Sequence, residues 1–536
     1  MGRVAQRGRS VILVPLVIAL GALWGGYFGS SLEGAAAESS QDDLKASVST
    51  FAKVLSVVEQ NLADPVKHDR AIYSGAIPGM LRTLDPHSTF FDPHYFQLLR
   101  EEQKGHYFGV GMQIGPSRTG SGRTIVLMPF SGSPAYRAGI RPGDDILAVD
   151  DKPTDNLRTD EIADLLKGPK GTPVKITLGR AGSDKPLVVE LTRDEIPRKS
   201  LQDAFWVRPG IAYLGISQFN ENTSREVEDA FRRLGEHIIK GLILDLRNNP
   251  GGLLNEGVAV ADRFLRKGQT IVSHRGRIST EKPYTAKLGQ GGRDYPIVVM
   301  VDHQSASAAE IVAGALQDHD RGWIFGETTF GKGLVQTVYP LREGTGLALT
   351  TAHYYTPSGR LIQRDYSNSS FLDYYYGRKE TDPQNSLDVK MTDGGRTVYG
   401  GGGITPDEKY SRPRLNHFQT LLARKYAVFN FTSKYFGTHE VKLTKNWEPD
   451  HILLNEFHRY LLEEKYEFSE ADFAQNIDWL KQHMRREFYI SAFSMDEAVR
   501  LAIETDPAVN KAIDSLPKAK ALLETAKRVI AQRVTK

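Results

Sequence analysis

Cysteine is absent from all 536 residues. That excludes disulfides, thiolate metal sites, a cysteine nucleophile and a lipidated N-terminal cysteine. An excess of one charge is also missing: 68 Lys and Arg stand against 65 Asp and Glu, a net charge of +3. The first 37 residues hold three Arg and one Glu, so the rest of the chain is nearly neutral. A nucleic-acid binder usually shows a basic excess or stripe, and none is visible, so nucleic acid is not an expected partner. There is no G-x-S-x-G elbow, no H-E-x-x-H zinc pair and no G-x-x-x-x-G-K-[ST] phosphate loop. Gly331-Lys332-Gly333 lacks the following hydroxyl of such a loop, because Gly333 stands where Ser or Thr is required. No metal site and no cofactor is expected, and internal repeats and low-complexity tracts are missing too.

What is present looks globular. Charged residues make up 25% and hydrophobic residues 40%, and the length suggests three or four domains. Arg3, Arg7 and Arg9 precede an uncharged run from Ser10 to Leu32. A basic flank followed by an apolar run is the pattern of an export signal. Ala35-Ala36-Ala37 has the form of a cleavage site, whereas the length of the run also suits an uncleaved membrane anchor. Gly21, Gly25 and Gly29 have small-xxx-small spacing, which glycines give commonly in such segments. Either version places the body outside the cytoplasm, in the periplasm or cell envelope, with membrane contact only through residues 1–37.

Along the body, about Gln41 to Leu99 reads as helical. Phe51, Val54, Leu55, Val58 and Leu62 form an apolar stripe suited to core or interface packing, and Asp85-Pro86-His87-Ser88 breaks it as a turn. From about Gly105 to Pro197, short β runs take over, at Thr124–Met128, Ile146–Val149, Val174–Leu178 and Leu187–Leu191, with one helix over Thr159–Lys167. From Ile211 to about Ile404, buried strands (Gly241–Leu246, Ile297–Val301) alternate with helices (Leu254–Leu265, Ala308–Leu316), implying an α/β layer with parallel strands. After about Arg412 the chain is helix-rich. The expected division is 1–37 signal or anchor, 38–104 helical segment, 105–197 β domain, 198–411 α/β core and 412–536 helical extension.

Three stretches carry candidate chemistry. In Val298–Glu310 a buried strand ends and Ser305 and Ser307 stand at the start of a small-residue helix. The positive end of the helix dipole favours negative charge there, so a serine can act as nucleophile and a neighbouring N–H can bind an oxyanion. Ser307 with Glu310 three residues on is also a capping box, which many inert helices carry. Lys332 is followed by the strand-like Leu334-Val335-Gln336. A lysine carried into the core loses proton affinity and as a neutral amine can accept the serine proton. Gln336, four positions on, can orient that amine. The turn Asn248-Asn249-Pro250-Gly251-Gly252 follows a strand. Its glycines expose N–H groups of the kind an oxyanion hole needs, or serve only the turn.

Together, Leu244-Asp245-Leu246-Arg247-Asn248-Asn249-Pro250-Gly251-Gly252, Ser305-Ala306-Ser307-Ala308-Ala309-Glu310-Ile311, Phe330-Gly331-Lys332-Gly333-Leu334-Val335-Gln336 and Tyr355-Thr356-Pro357-Ser358-Gly359-Arg360 resemble the carboxyl-terminal processing (tail-specific) serine proteases. The resemblance covers about Gln41 to Ile404. It implies an α/β fold: a crotonase-like, spirally wound protease core with an inserted PDZ-like β domain, between an N-terminal helical segment and a C-terminal helical extension. It implies a Ser–Lys dyad of Ser307 and Lys332, with Gln336 positioning the lysine. The implied oxyanion donors are the amide of Ala308 and one glycine of the Gly251/Gly252 pair. Ser305 is the alternative nucleophile, but Ser307 alone matches the family spacing. Phe108-Gly109-Val110-Gly111 resembles the PDZ loop that receives a peptide's terminal carboxylate, with strand addition along a sheet edge.

The expected function is a serine endopeptidase that cleaves extracytoplasmic proteins near C-termini recognised by the PDZ domain. The expected partners are protein or peptide tails, with a homo-oligomer and an adaptor protein left open. A silent PDZ scaffold needs none of Ser307, Lys332 and Gln336, and an acyl-CoA enzyme on the related crotonase fold fits poorly with export.

Overall fold

The computed structural model describes residues 41–117, 122–367, 371–376 and 388–534. The segment read as export signal or anchor lies outside them. Among the described residues no helix is long and apolar enough to cross a membrane.

A six-stranded sheet forms the centre, in the order Leu201–Arg208, Ile211–Ile216, Gly241–Asp245, Ile297–Val301, Trp323–Gly326, Glu408–Lys409. The first pair is antiparallel and the other pairings are parallel. Strands in such a sheet are covered on both faces, which is why they read as unbroken apolar runs. Leu242, Leu244, Ile297, Val299 and Val301 point into one apolar cluster with the helices Thr223–Leu234, Leu254–Asp262 and Ala308–Asp318. Their neighbours Ile243, Val298 and Met300 point the other way, against Ala508, Val509, Ala512, Leu516 and Ala519. The last two helices, Pro507–Asp514 and Leu516–Val534, therefore form the second covering layer of the central sheet. Arg247 ties this layer down, bonding Asp245 and also Asp506, whose side chain caps the first of the two helices. The preceding helical part has its own core, with Phe431, Phe457, Tyr460 and Phe488 among its members.

A second, antiparallel sheet lies beside the first. Gly346–Tyr355 is its spine, pairing with Thr89–Phe91, Thr270–Arg275 and Leu334–Pro340. The strand Thr89–Phe91, directly after the predicted turn Asp85–Ser88, corrects the expectation of helix on both sides of that turn. Gln41–Asn61 and residues 68–82 are helical, the pattern stops before Asp85-Pro86, and helix resumes at Pro93–Lys104, capped by Asp92 accepting from the Tyr95 amide. Phe51, Val54, Val58 and Leu62 of the predicted stripe are exposed, so they do not enter this chain's own core.

The inserted β domain has the sheet order Met112–Pro116, Thr124–Pro129, Asp145–Val149, Pro173–Gly179, Leu187–Thr192. Met112–Pro116 is thus an edge strand. The helix Thr159–Leu166 packs Ile162 and Leu166 into one cluster with Val110 and Met112. The chain enters and leaves this domain through a two-stranded ribbon, His106–Gly109 paired with Asp194–Pro197. On another face the domain meets the helical extension so closely that a Cβ on Gly182 would lie 2.3 Å from the Gly437 carbonyl oxygen.

Candidate active site

Ser307 stands at the junction of the strand Ile297–Val301 and the helix Ala308–Asp318, with φ 54° and ψ −114°. A residue with a Cβ rarely adopts that backbone, and such strain persists only where the surroundings fix it. The fixing group is Glu310. Its Oε2 accepts from the amides of Ser307 (2.8 Å) and Lys332 (2.9 Å), and its Oε1 from the Gly331 amide (2.7 Å) and the Thr329 hydroxyl (2.5 Å). All four partners are donors, so the geometry suits an ionised carboxylate. Burial pushes its pKa above the usual glutamate value, while the four hydrogen bonds act to lower it. The Tyr354 hydroxyl reaches the carbonyl oxygens of both Ser307 and Lys332. The main chains at the two residues are therefore held to each other through one carboxylate and one phenol.

Lys332 is fully buried, Gln336 is 1% exposed and Ser307 2%. The Lys332 Nζ donates to Gln336 Oε1 at 2.9 Å. Burial lowers the Lys332 pKa to about 7, against the opposing charges of Asp85 and Glu310. The strand Leu334–Pro340 carries Gln336 across from Thr350, with a register shift just before it. Ser305 is committed elsewhere. Its hydroxyl donates to the Leu246 carbonyl at 2.8 Å and accepts from the Asp302 amide at 2.9 Å.

Gly251 and Gly252 differ in their surroundings. Gly251, at φ 98°, comes so close to Ser307 that a Cβ there would lie 2.7 Å from the serine Cβ and 3.0 Å from the Ala308 amide nitrogen. Its N–H is engaged by Asn249 Oδ1 at 2.8 Å, so that side chain must move before the amide can serve a substrate. Gly252 is pressed against Phe219, with 2.0 Å between a hypothetical Cβ and the Phe219 carbonyl oxygen. Proximity to Ser307 therefore favours Gly251 of the pair.

In the β domain, Phe108, Gly109, Val110 and Gly111 lead directly into the edge strand. The Phe108 side chain is 39% exposed, whereas Val110 is buried in the domain core, leaving only its main chain for a ligand. Gly111 holds φ 77°, and a Cβ there would lie 2.4 Å from the Ser133 Cβ. Its carbonyl accepts from the Ser133 hydroxyl at 2.7 Å. Gly109 abuts the end of the helix Thr159–Leu166, with the Leu166 carbonyl oxygen 3.4 Å from where a Cβ would stand. Loop, edge strand and helix thus lie side by side.

Sequence reasoning saw Glu310 only as half of a capping box and Asp85–Ser88 only as a turn. The second assignment missed a contact across the chain: Gln336 Nε2 donates to the His87 carbonyl oxygen. A tetrapeptide of one proline and three polar residues is the only local signal.

The pattern of peptidase family S41 matches residues 210–367, and that of the PDZ domain matches residues 131–180. A carboxy-terminal-processing protease of Bartonella bacilliformis is 42% identical over 304 residues, covering 56% of this chain and 68% of the relative. A carboxyl-terminal-processing protease of Synechocystis sp. is 40% identical over 313 residues, covering 57% and 72%. A carboxy-terminal processing protease of Bacillus subtilis is 34% identical over 319 residues, covering 59% and 67%.

Proposed function

Since the chain belongs to the carboxyl-terminal processing proteases, serine-type peptidases of family S41 that carry a PDZ domain, we propose that it cuts extracytoplasmic proteins near their C-termini by a Ser307–Lys332 dyad. The observation that carries this reading is a buried lysine amine of near-neutral pKa, oriented by Gln336, in a segment tied to the Ser307 main chain. Neutral Lys332 takes the proton from Ser307 Oγ as that oxygen attacks the scissile carbonyl. The resulting ammonium then gives the proton to the leaving amine, and water hydrolyses the acyl-serine with the lysine again acting as base. The Ala308 and Gly251 amides receive the oxyanion once the Gly251 N–H is released by Asn249.

The domain limits fit this work as 38–104, 105–197, 198–411 and 412–536, with residues 507–534 contributing to the protease sheet. Export or anchoring is assigned to residues 1–37. The groove of the PDZ domain takes the substrate tail by adding a strand to Met112–Pro116 and directing the amides of Phe108–Gly111 at the terminal carboxylate.

Cleavage of one peptide with a free or an amidated C-terminus tests the reading. Amidation removes a charge-assisted bond worth about 1.5–3 kcal/mol, so kcat/KM should fall by roughly 10- to 100-fold at substrate well below saturation. Equal rates for the two forms would remove tail recognition from the assignment.

A further inference from the structure

We propose that Asp85 and the main chain of His87 are positioning residues for the Lys332 base, acting through the Gln336 amide. The inference deepens the dyad reading above and rests on it. An amide side chain is nearly symmetric in shape, so its chemistry depends on which end faces its partner. With Oε1 toward Lys332, a neutral amine donates one N–H to Gln336 and keeps its lone pair for the serine proton. With Nε2 toward Lys332, the amide would donate to that lone pair and take the base out of use. The His87 carbonyl decides between the two, because it accepts from Gln336 Nε2 and so turns Oε1 toward Nζ.

That carbonyl is itself held firmly. Asp85 Oδ1 accepts from the amides of His87 and Ser88, both at 2.8 Å, and Oδ2 accepts from the Ser88 hydroxyl at 2.6 Å. Thr350 Oγ1 donates to the same Oδ1 at 3.1 Å, and Thr350 is the register partner of Gln336 across the sheet. The turn and the amide it orients are thus fastened to one strand position.

The His87 ring, with no exposed surface, locks the turn from the other side. Tyr375 gives its hydroxyl hydrogen to the Pro86 carbonyl at 2.9 Å, so His87 Nδ1 is the donor in its 3.1 Å contact with Tyr375. His87 Nε2 then accepts from the Tyr374 hydroxyl at 2.9 Å, whose oxygen in turn receives an N–H of Gln363. This arrangement needs a neutral imidazole. Burial, then Lys332 and Arg364, hold the His87 pKa well below the ordinary value. The charged groups acting on Lys332 itself are Asp85 from the turn and Glu310 from the helix Ala308–Asp318, and both raise its proton affinity against the larger effect of burial.

A double-mutant cycle measured as a pH profile tests the proposal. The full-length enzyme and the variants Asp85→Asn, Gln336→Met and Asp85→Asn/Gln336→Met are assayed for kcat/KM on one peptide. Asp85→Asn should lower kcat/KM by about 10- to 100-fold and, by removing an anion near the base, move the rising limb about one pH unit lower. In the Gln336→Met background, where no amide remains to orient, the same change should lower kcat/KM less than about 3-fold. An additive cycle or an unmoved limb overturns the proposal, since a merely structural aspartate would give either. Should Asp85→Asn fail to fold, Thr350→Val removes one hold on Asp85 without changing shape. It should then give a loss of about 3-fold that vanishes in Gln336→Met, and an additive result there is equally fatal. Ser307→Ala and Lys332→Ala are run alongside. If either keeps wild-type turnover, the dyad reading falls and this inference with it. If both are dead, an additive cycle removes the positioning role alone.

Discussion

Replacing Ser307 with alanine should lower peptide-bond cleavage by on the order of 10⁴- to 10⁶-fold and leave a folded protein, as for other serine-peptidase nucleophiles. The change removes one oxygen atom and keeps the Cβ, so the backbone at φ 54° is neither relieved nor strained further. The Glu310 carboxylate accepts from the main-chain amides of Ser307 and Lys332, so both contacts survive. If Ser307 served only as a helix N-cap, the substitution would cost about 1 kcal/mol of stability and activity would persist. Turnover of a single peptide, compared with the thermal melt of the same preparation, separates the two outcomes. A variant that melts earlier yet still cuts would end the assignment of the nucleophile.

Lys332→Arg should be inactive, with a loss of at least about 10³-fold. A guanidinium does not give up its proton in a protein, so it cannot act as the base. In the native enzyme the direction of the pH dependence follows from burial. Lys332 titrates at about 7, well below the ordinary lysine value. With Lys332 as the base, activity should therefore rise as pH passes through about 7 and the amine becomes neutral, and should be lost below that point as the amine is protonated. His87 does not account for the limb, because its own pKa is held well under the ordinary histidine value and the ring is neutral throughout this range. The profile of kcat/KM, which reports groups of the free enzyme, checks the direction. A rate that falls as pH rises through 7, or a retained rate in Lys332→Arg, contradicts a lysine base.

The elements of the core and of the PDZ domain were legible because their residues follow simple periodicities. Ile297–Val301 was read with its observed limits, and Thr124–Met128 and Val174–Leu178 fall within a residue of the strands formed. Strand and small-residue helix side by side identified the Ser307 junction, and a lysine running into an apolar strand identified Lys332. The spacing of these motifs marked the family, a second signal independent of periodicity. The misses have a different origin. Thr89–Phe91 becomes a strand only because Gly346–Tyr355, over 250 residues on, offers it an edge. Nothing within Asp85–Ser88 announces that its carbonyl will meet Gln336, since the contact joins residues 249 positions apart. The helices after Pro507 read as an appendage because helical periodicity reveals an apolar face but not its partner. Ala508, Val509 and Ala512 in fact complete the second face of the protease sheet. Whether Gly251 or Gly252 stands beside Ser307 depends on how the turn packs against that junction, and two adjacent glycines look alike in one dimension.

The unusual backbone at Ser307 also bears on how this protein responds to selection. A non-glycine residue in that region of φ and ψ costs about 1–3 kcal/mol, and glycine alone escapes it. Ser307→Gly should therefore melt at a higher temperature than Ser307→Ala, both being inactive. Calorimetry of the two variants, side by side, checks the order, and the reverse order would mean that the positive φ carries no strain. Lys332 adds to the burden, since holding its ammonium in the interior is unfavourable at acidic pH and the penalty is relieved only as pH rises above about 7. A search for heat-resistant variants that scores survival alone would thus enrich dead enzyme at these two codons. Any improvement of thermal endurance has to come from positions elsewhere in the chain, with cleavage assayed at every round.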